Sequence, residues 1–320
     1  MIAVALPALA GCTHQPPAVA TPVATAPAAP KAAEASWRFA AISDDRAAVG
    51  FGDPHYEPDR GINRAALNRL IARINAEHVD FVIFPGDAVY GEKPPKASAT
   101  IPQPPPGTFR RELSEWVTLM SALNCPWYFA PGNHETYRAE NAQELRDVFT
   151  AAGHPMPTNG PPGEEQMVYS FDHRNAHVVA LSSDSYGDAH HVQTDWLKGD
   201  LAANRQPHVF VMAHEPAFSA NGSTEKCLAA DAAARDAFWA LLTASHADAY
   251  FCGHEHVAYR SQPQAGSQVW EIIAGRGGAP AEKPSGATEA QPEQFALVTV
   301  DGERVSYQTE DTAGTKLDSF

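Results

Sequence analysis

Three short polar motifs carry the residue types that bind metals and transfer protons. They are Gly86-Asp87, Gly132-Asn133-His134-Glu135 and Gly253-His254-Glu255-His256. Each motif directly follows an apolar run bounded by Gly or Pro, which is typical of a buried strand. The carboxyl ends of strands form the edge of an open α/β sheet at which ligands bind. Three such motifs in one chain favour a two-metal hydrolase over packing alone.

The side chains in and between these motifs include both oxygen and imidazole ligands. The candidate ligands at this stage are Asp87, Asn133, His214, His254 and His256. Divalent metals that activate water need such ligands, and the two oxygens of Asp87 suit a bridge between two ions. His254 and His256 alternate with Glu255, so on an extended backbone both imidazoles point the same way. Singly, each residue could be a turn, cap or core residue, but together they predict a metal centre.

The segments that must position these motifs alternate between strand and helix in the first part of the chain. Trp37–Ile42 and Phe81–Phe84 are predicted strands, and residues 63–78 between them have helical apolar spacing with Asn63 as a cap. This order predicts a parallel unit with a right-handed crossover.

The remaining predicted segments continue this pattern. Further predicted helices cover residues 110–123, 142–149 and 194–203. Further predicted strands cover residues 167–171, 177–181, 209–212, 270–273, 295–300 and 304–308. Asp301-Gly302 is a turn signal between the last two strands. These late strands predict a second sheet packed on the first.

Three further segments are predicted to be loops or turns. The Pro-rich residues 92–108 leave from beside Asp87, and they either shape substrate access or form a surface insertion. Gly275, Gly277 and Gly278 are expected in a surface turn beside the active site. His190-His191 is expected in a loop without a role in the site.

The order of these motifs resembles that of the calcineurin-like metallophosphoesterase superfamily. The similar region runs from about Phe39 to Val257 and rests on Asp44, Gly86-Asp87, Gly132-Asn133-His134-Glu135, His214 and Gly253-His254-Glu255-His256. The resemblance implies an α/β fold, a four-layered α/β/β/α sandwich in which two mixed β-sheets pack face to face and are flanked by helices. It also implies two divalent or trivalent ions (Mn, Fe, Zn or Co) and a bridging hydroxide that attacks a phosphate mono- or diester.

The same resemblance implies a role for each residue. Asp44 and His256 would hold one metal, Asn133, His214 and His254 would hold the other, and Asp87 would bridge the two. His134 would stand outside the ligand set as a catalytic residue that polarises the phosphate or protonates the leaving oxygen.

The first motif departs from the family pattern, which usually reads Asp-x-His, because this chain has Asp44-Asp45-Arg46. A guanidinium cannot ligate a metal, so one imidazole is missing. As a catalytic residue, Arg46 could bind a phosphate oxygen bidentately and leave the metal of that site weaker, or it could form a salt bridge at the sheet edge. Tyr90 could supply a phenolate, because Gly86-Asp87-Ala88-Val89-Tyr90 resembles a purple acid phosphatase motif, or it could pack under the Pro-rich loop. Asp53-Pro54-His55 is an alternative first motif.

The N-terminus resembles a bacterial lipoprotein signal. Apolar residues 2–10, too short to span a bilayer as a helix, lead into Leu9-Ala10-Gly11-Cys12, a lipobox-like sequence. We expect a signal peptide over 1–11, a lipidated Cys12 with an Ala/Pro-rich linker over 12–36, a metallophosphoesterase domain over 37–310 and a C-terminal tail over 311–320. This organisation predicts a periplasm-facing lipoprotein of the bacterial cell envelope, anchored to the membrane through Cys12, or a secreted protein if Cys12 is not lipidated.

The net charge of the chain limits the classes of molecule that it is expected to bind. The formal net charge of −15 disfavours nucleic acid, which normally needs a basic face. A small phosphate ester remains compatible, because bound cations reverse the local field. Besides Cys12 there are three cysteines, so at least one is expected to be free within the chain. The alternative to an enzyme is a non-catalytic envelope protein of the same fold that binds phosphate or metal.

Overall fold

The computed structural model describes Met1 and residues 35–48, 61–93 and 104–320. The chain divides into two units, Met1–Ala33 and Glu34–Phe320, and every helix and strand of the described residues belongs to the second unit. The predicted lipobox with Cys12 and the alternative motif Asp53-Pro54-His55 lie outside the described residues. Among the described helices, none is both long and apolar enough to cross a membrane.

Helices and strands alternate along most of the second unit. The α-helices are α1 (Arg64–Ala76), α2 (Thr108–Met120), α3 (Asn141–Ala151), α4 (Thr194–Ala203) and α5 (Ala232–Ala244). The strands are β1 (Trp37–Ala41), β2 (Phe81–Pro85), β3 (Trp127–Ala130), β4 (Tyr169–His173), β5 (Ala176–Ala180), β6 (Asp184–Ser185), β7 (Asp188–Ala189), β8 (His208–Met212), β9 (Ala249–Cys252), β10 (Ala258–Ser261), β11 (Trp270–Ala274), β12 (Gln294–Asp301), β13 (Arg304–Asp311) and β14 (Lys316–Ser319). Short 3-10 helices cover Asn133–Glu135 and Leu228–Asp231.

The strands form two six-stranded sheets and a small ribbon of β6 and β7. The first sheet has the order β14-β13-β12-β1-β2-β3, and the second has the order β10-β11-β9-β8-β5-β4. In the first sheet β1, β2 and β3 are parallel, and in the second β5, β8, β9 and β11 are parallel. The outer strands pair antiparallel. Both sheets are therefore mixed, as the predicted fold class requires.

Aromatic side chains fill the space between the two sheets. Phe39 of β1 meets Phe210 of β8 edge to face, with ring centroids 4.9 Å apart, and Phe251 of β9 at 5.6 Å. All three rings are fully buried. Because fully burying a Phe contributes about 1.5–3 kcal/mol, this layer is a major source of stability.

Helices cover the outer face of each sheet. Trp116 of α2 packs on Phe84 of β2 at 4.9 Å, and Phe238 of α5 packs on Tyr250 of β9 at 5.2 Å. Helices, sheet, sheet and helices thus form four layers. The predicted four-layered sandwich is confirmed.

Several local predictions agree with the structure and others do not. Asn63 caps α1 as predicted, because its Oδ1 accepts from the N–H of Ala66 at 3.2 Å. The late strands do not all form the second sheet, since the hairpin β12–β13 joins β1 in the first sheet. Residues 316–319, within the predicted C-terminal tail, form β14 and pair with β13. Apolar periodicity identifies strands, but it does not specify their partners.

Candidate metal centre

The ends of five strands bring the predicted ligands together. Asp44 follows β1, Asp87 follows β2, Asn133 follows β3, His214 follows β8, and His254 and His256 follow β9. The first three strands belong to one sheet and the last two to the other. The candidate centre is therefore built by both sheets, at the carboxyl ends of parallel strands.

One atom each of Asn133, His214 and His254 form a tight triangle. We call these three residues, together with Asp87, the Asn133 site. Asn133 Oδ1 lies 3.0 Å from His254 Nδ1 and 3.3 Å from His214 Nε2, and the two ring nitrogens are 3.2 Å apart. Asp87 Oδ1 lies 3.2 Å from His214 Nε2. Ligands that are each about 2 Å from one ion lie roughly 3 Å from one another. This donor set fits one divalent ion.

Hydrogen bonds on the far side of two of these groups select the atoms that face the site. His214 Nδ1 donates to the carbonyl of Pro85 at 2.8 Å, which leaves Nε2 for a ligand. Asn133 Nδ2 donates to the hydroxyl of Tyr137 at 2.8 Å, which directs Oδ1 into the triangle. Such outer partners orient metal ligands in many proteins.

A second group, called the Asp44 site, consists of Asp44, Asp87 and His256. One carboxylate oxygen from each Asp and one ring nitrogen of His256 lie within 4.8 Å of one another. Asp44 Oδ2 accepts from the N–H of His254 at 2.9 Å, whereas Asp44 Oδ1 is buried without a hydrogen-bond partner. A buried carboxylate oxygen without a partner is costly, and a cation would satisfy it. The Asp44 site therefore also fits a metal ion.

The pKa values of His254, His256 and Asp87 suit metal binding, whereas those of Asp44 and His214 are shifted in the opposite direction. Burial lowers the pKa of His254 to about 3 and that of His256 to about 4, so both rings are neutral near neutral pH. Burial alone would raise the pKa of Asp87, but the imidazoles of His214 and His134 hold it well below its ordinary value. Burial raises the pKa of Asp44 to about 7. Burial alone would lower the pKa of His214, but the Asp87 carboxylate raises it well above its ordinary value, so an ion that binds must displace protons from His214 and Asp44. Neutral imidazoles and ionised carboxylates are the forms that bind metals.

Glu135 ties two of the ligand loops together. Its Oε2 accepts from the N–H groups of Asp87 at 2.9 Å and Gly132 at 2.8 Å, and its Oε1 accepts from Ala88 at 3.0 Å. The side chain is fully buried. Glu135 thus fixes the loop after β2 against the loop after β3. Sequence reasoning missed this role, because a carboxylate beside His134 gives no signal that its partners are backbone amides.

The backbone of the centre is strained and closely packed. Asp44, Asp87 and His254 have positive φ angles of 61°, 59° and 66°. Non-glycine residues in sparsely populated backbone regions cost about 1–3 kcal/mol each and cluster at functional sites. A Cβ on Gly253 would overlap Asp44 Oδ2 and Ser43 Oγ.

The glycine-rich run after β11 also lies against the centre. A Cβ on Gly275 would stand 3.2 Å from Asp44 Oδ2, and one on Gly277 would overlap the carbonyl of Ser43. Gly275, Gly277 and Gly278 are buried, so the expected surface turn is wrong. Gly277 is crowded by the loop that carries Asp44, Gly275 by the carbonyl of Glu255, and Gly278 by the start of α1.

The predicted catalytic residues border the two sites. His134 Nδ1 donates to the carbonyl of Tyr90 at 2.6 Å, and its Nε2 lies 3.8 Å from Asp87 Oδ2, outside the Asn133 triangle. Arg46 Nε lies 3.4 Å from Asp87 Oδ2, and Arg46 Nη2 lies 3.3 Å from His256 Nε2. The Tyr90 ring stands edge-on to His134 and faces the Arg46 guanidinium at 5.7 Å. Tyr90 as a metal ligand stays a prediction.

The pair His190-His191 has carboxylate partners that the sequence did not reveal. His190 Nδ1 lies 2.7 Å from Glu215 Oε1, next along the chain from a candidate ligand. His191 lies between Asp188 at 2.8 Å and Asp231 at 3.3 Å. Two of these partners are 25 and 40 residues away, so no local pattern could indicate them.

Comparisons with known proteins found a family profile and two curated relatives that match this sequence. The sequence profile of the calcineurin-like phosphoesterases matches residues 48–258. Acid phosphatase type 7 of Mus musculus is 26% identical over 167 residues, 47% of this chain and 36% of that protein. Tartrate-resistant acid phosphatase type 5 of Mus musculus is 24% identical over 261 residues, 75% of this chain and 72% of that protein.

A solved structure shares the fold. Purple acid phosphatase PPD1 from yellow lupin (Lupinus luteus) superposes with a TM-score of 0.64 at 16% identity, over 89% of this chain and 53% of that chain. This chain thus spans about half of the lupin protein and about a third of the type 7 enzyme. Because the profile matches more than half of the chain, the protein belongs to the calcineurin-like phosphoesterases, a family of metal-dependent hydrolases of phosphate esters.

Proposed function

We propose that this protein hydrolyses phosphate mono- or diesters at a dinuclear metal centre. The observation that carries the proposal is the triangle of Asn133 Oδ1, His214 Nε2 and His254 Nδ1, with sides of 3.0–3.3 Å. The Asp44 site lies beside it and shares Asp87. Two ions held in this way would activate water and neutralise charge on the phosphoryl group. Mn, Fe, Zn and Co all suit these ligands.

His134 is the residue that we propose to handle the proton of the leaving group. Its Nδ1 is engaged with the carbonyl of Tyr90, so Nε2 is the nitrogen that faces the centre. Burial lowers the pKa of His134 to about 3, and an anionic substrate beside the ring would favour the protonated form again. A proton held at Nε2 is then in position for the departing alcohol oxygen.

Arg46 and Tyr90 complete the proposed site. The guanidinium of Arg46 offers donors to phosphate oxygens, and its Nε is buried without a hydrogen-bond partner. Tyr90 is the candidate phenolate ligand. An iron-loaded sample with Tyr90 bound would show charge-transfer absorbance in the visible range, and a colourless iron-replete sample would exclude this ligand.

The proposal is tested with purified full-length protein, stripped of metal and reloaded with Mn, Fe, Zn or Co. We expect turnover of p-nitrophenyl phosphate or its bis ester with at least one metal, and loss of turnover in His214→Ala. His246→Ala, which changes an exposed histidine, is the control and should retain activity. Background turnover with every metal in a well-folded sample would favour the non-catalytic binding protein instead.

We further propose that Cys12 carries a lipid that anchors the protein in the bacterial envelope, facing the periplasm. The support is the sequence Leu9-Ala10-Gly11-Cys12 and the Ala/Pro-rich segment after it. Metabolic labelling with an alkyne fatty acid should mark the wild-type chain but not Cys12→Ser. Equal labelling of both chains, or of neither, would contradict the anchor. A small phosphate ester from the periplasm is the expected substrate.

A further inference from the structure

We infer that Arg46 makes the two metal sites unequal, because it engages two of the three ligands of the Asp44 site. The Asn133 site would bind its ion tightly, and the Asp44 site would bind its ion weakly until Arg46 moves away. This inference deepens the proposed dinuclear centre and rests on it. It assigns to Arg46 the control of metal occupancy, which is a different role from substrate binding.

Arg46 contacts two groups that a metal at the Asp44 site would need as ligands. A guanidinium has donors only, so His256 Nε2, 3.3 Å from Arg46 Nη2, must accept with its lone pair. His256 Nδ1 already donates to the carbonyl of Pro280 at 2.8 Å, which agrees with this tautomer. Arg46 Nε lies 3.4 Å from Asp87 Oδ2. The His256 ring nitrogen is therefore engaged in a hydrogen bond with Arg46, whereas the Asp87 oxygen is engaged only in an ion pair, since Arg46 Nε has no hydrogen-bond partner.

The guanidinium is held in this position by its surroundings. Its side chain is only 14% exposed, Nη1 donates to the carbonyl of Ala47 at 3.2 Å, and the ring of Tyr90 lies against it. A fixed positive charge also repels a divalent cation at short range, more strongly where water is excluded. Lone-pair competition and charge repulsion both weaken the Asp44 site.

The Asn133 site largely escapes the competition for lone pairs. His214 Nε2 and His254 Nδ1 face Asn133 Oδ1 and each other. Asp87 divides its carboxylate, with Oδ1 at 3.2 Å from His214 and Oδ2 at 3.4 Å from Arg46. Asp87 Oδ1 thus belongs to the Asn133 site, and Asp87 Oδ2 is the oxygen closer to Arg46.

Titration of the metal-free full chain with Co²⁺ alone tests the inference, using calorimetry, visible absorbance and metal analysis. Wild type should show one tight event and a second event weaker by roughly 100-fold. Arg46→Ala and Arg46→His should strengthen the second event by roughly 10–100-fold, as changes next to a ligand shell commonly do. Arg46→Lys keeps the charge and should leave the second event weak. His214→Ala should remove the tight event and so identify it.

Arg110→Ala is the matched control, because it removes one positive charge that pairs with Asp147 on the surface. Two equal events in wild type, or an unchanged second event in Arg46→Ala, would overturn the inference. If Arg46→His does not fold by circular dichroism, the comparison of Arg46→Ala with Arg46→Lys decides alone. If the protein shows one tight and one weak Co²⁺ binding event but no phosphatase turnover, the proposed function is overturned and this inference stands.

Discussion

Hydrogen bonds on the far side of three candidate ligands determine which of their atoms face the candidate centre. The Nδ1 atoms of His214 and His256 both donate to backbone carbonyls, and Asn133 Nδ2 donates to Tyr137. Each bond fixes one orientation of a group that otherwise has two. The ligands are therefore oriented by the protein, so that less ordering remains to be done when an ion binds.

Tyr137→Phe should weaken the Asn133 site without changing its ligands. The variant removes the acceptor of the Asn133 amide, so Oδ1 and Nδ2 can exchange places, and Co²⁺ affinity at this site should fall by roughly tenfold or more. Calorimetric titration measures the change. Tyr186→Phe, on an exposed tyrosine, should leave the affinity unchanged. An equal affinity in Tyr137→Phe would show that packing alone orients the amide.

His134→Gln should separate chemistry from metal binding. His134 Nε2 lies outside the Asn133 triangle, so the variant should keep its metal content while kcat falls by roughly 10²–10⁴-fold, the usual contribution of general acid catalysis. Metal analysis and p-nitrophenyl phosphate turnover on one sample decide the matter. Loss of metal in proportion to activity would mean that His134 acts structurally.

The sequence predicted the side-chain types of this candidate centre, because chemistry restricts metal ligands to a few residue types at strand ends, and the family resemblance added Asp44. The structure brings together all the predicted ligands except Tyr90, whose ring lies beside His134 and Arg46. It also shows two supports that the sequence did not indicate, Glu135 and Tyr137. Their partners are backbone amides and an amide side chain, which leave no recognisable spacing.

The loops between strands and helices determine whether the ligands meet. The loop after β9 passes so close to Asp44 that Gly253 has no room for a side chain. Glu135 connects the loop after β2 to the loop after β3, because it accepts hydrogen bonds from backbone amides of both. Contacts between loops therefore fix the positions of the Asp44 and Asp87 side chains relative to each other.

Gly253→Ala should disturb the Asp44 site through the backbone. The added methyl group would overlap Asp44 Oδ2 and Ser43 Oγ, and relief of such overpacking typically costs about 1–3 kcal/mol. We expect a lower free energy of unfolding in urea and a weaker second Co²⁺ event. Gly199→Ala in α4 has open space around its Cβ and should show neither change. A stable Gly253→Ala protein with normal Co²⁺ binding would contradict this account.

More of the order of strands and helices than of the pairing between strands could be predicted from the sequence. The sequence predicted β1, α1 and β2 as a parallel unit, and the structure shows this pairing. It did not predict that β12 would pair with β1, because partners so far apart in the chain share no local pattern. The four layers entered the sequence analysis through resemblance to a family rather than from periodicity.

A buried imidazole far from the metal centre should make stability depend on pH. His177 is buried between Asp172 at 2.7 Å and Asp200 at 2.8 Å. Burial alone would lower its pKa, but the hydrogen bonds to Asp200 and Asp172 outweigh burial and raise the pKa. A raised histidine pKa stabilises the fold below about pH 6.5, the unfolded value, and this stabilisation is lost as the pH rises through the folded pKa.

His177→Gln should therefore lose more stability in mild acid than in base. Urea denaturation at about pH 6 and about pH 9 should show a larger difference from wild type at the lower pH. His246→Gln, the same substitution at an exposed histidine, is the matched control for the exchange itself. A difference that grows towards higher pH would reverse the sign and refute the assignment.

The pairing of Phe39 with Val298 also matters while the chain is being made. A ribosome that adds roughly 5–20 residues per second completes β12 about 10–50 s after it has released β1. Throughout that interval one edge of β1 lacks its neighbour, and an unpaired edge of this kind recruits other strands. The edge of β1 would then need shielding by a chaperone until β12 has been made.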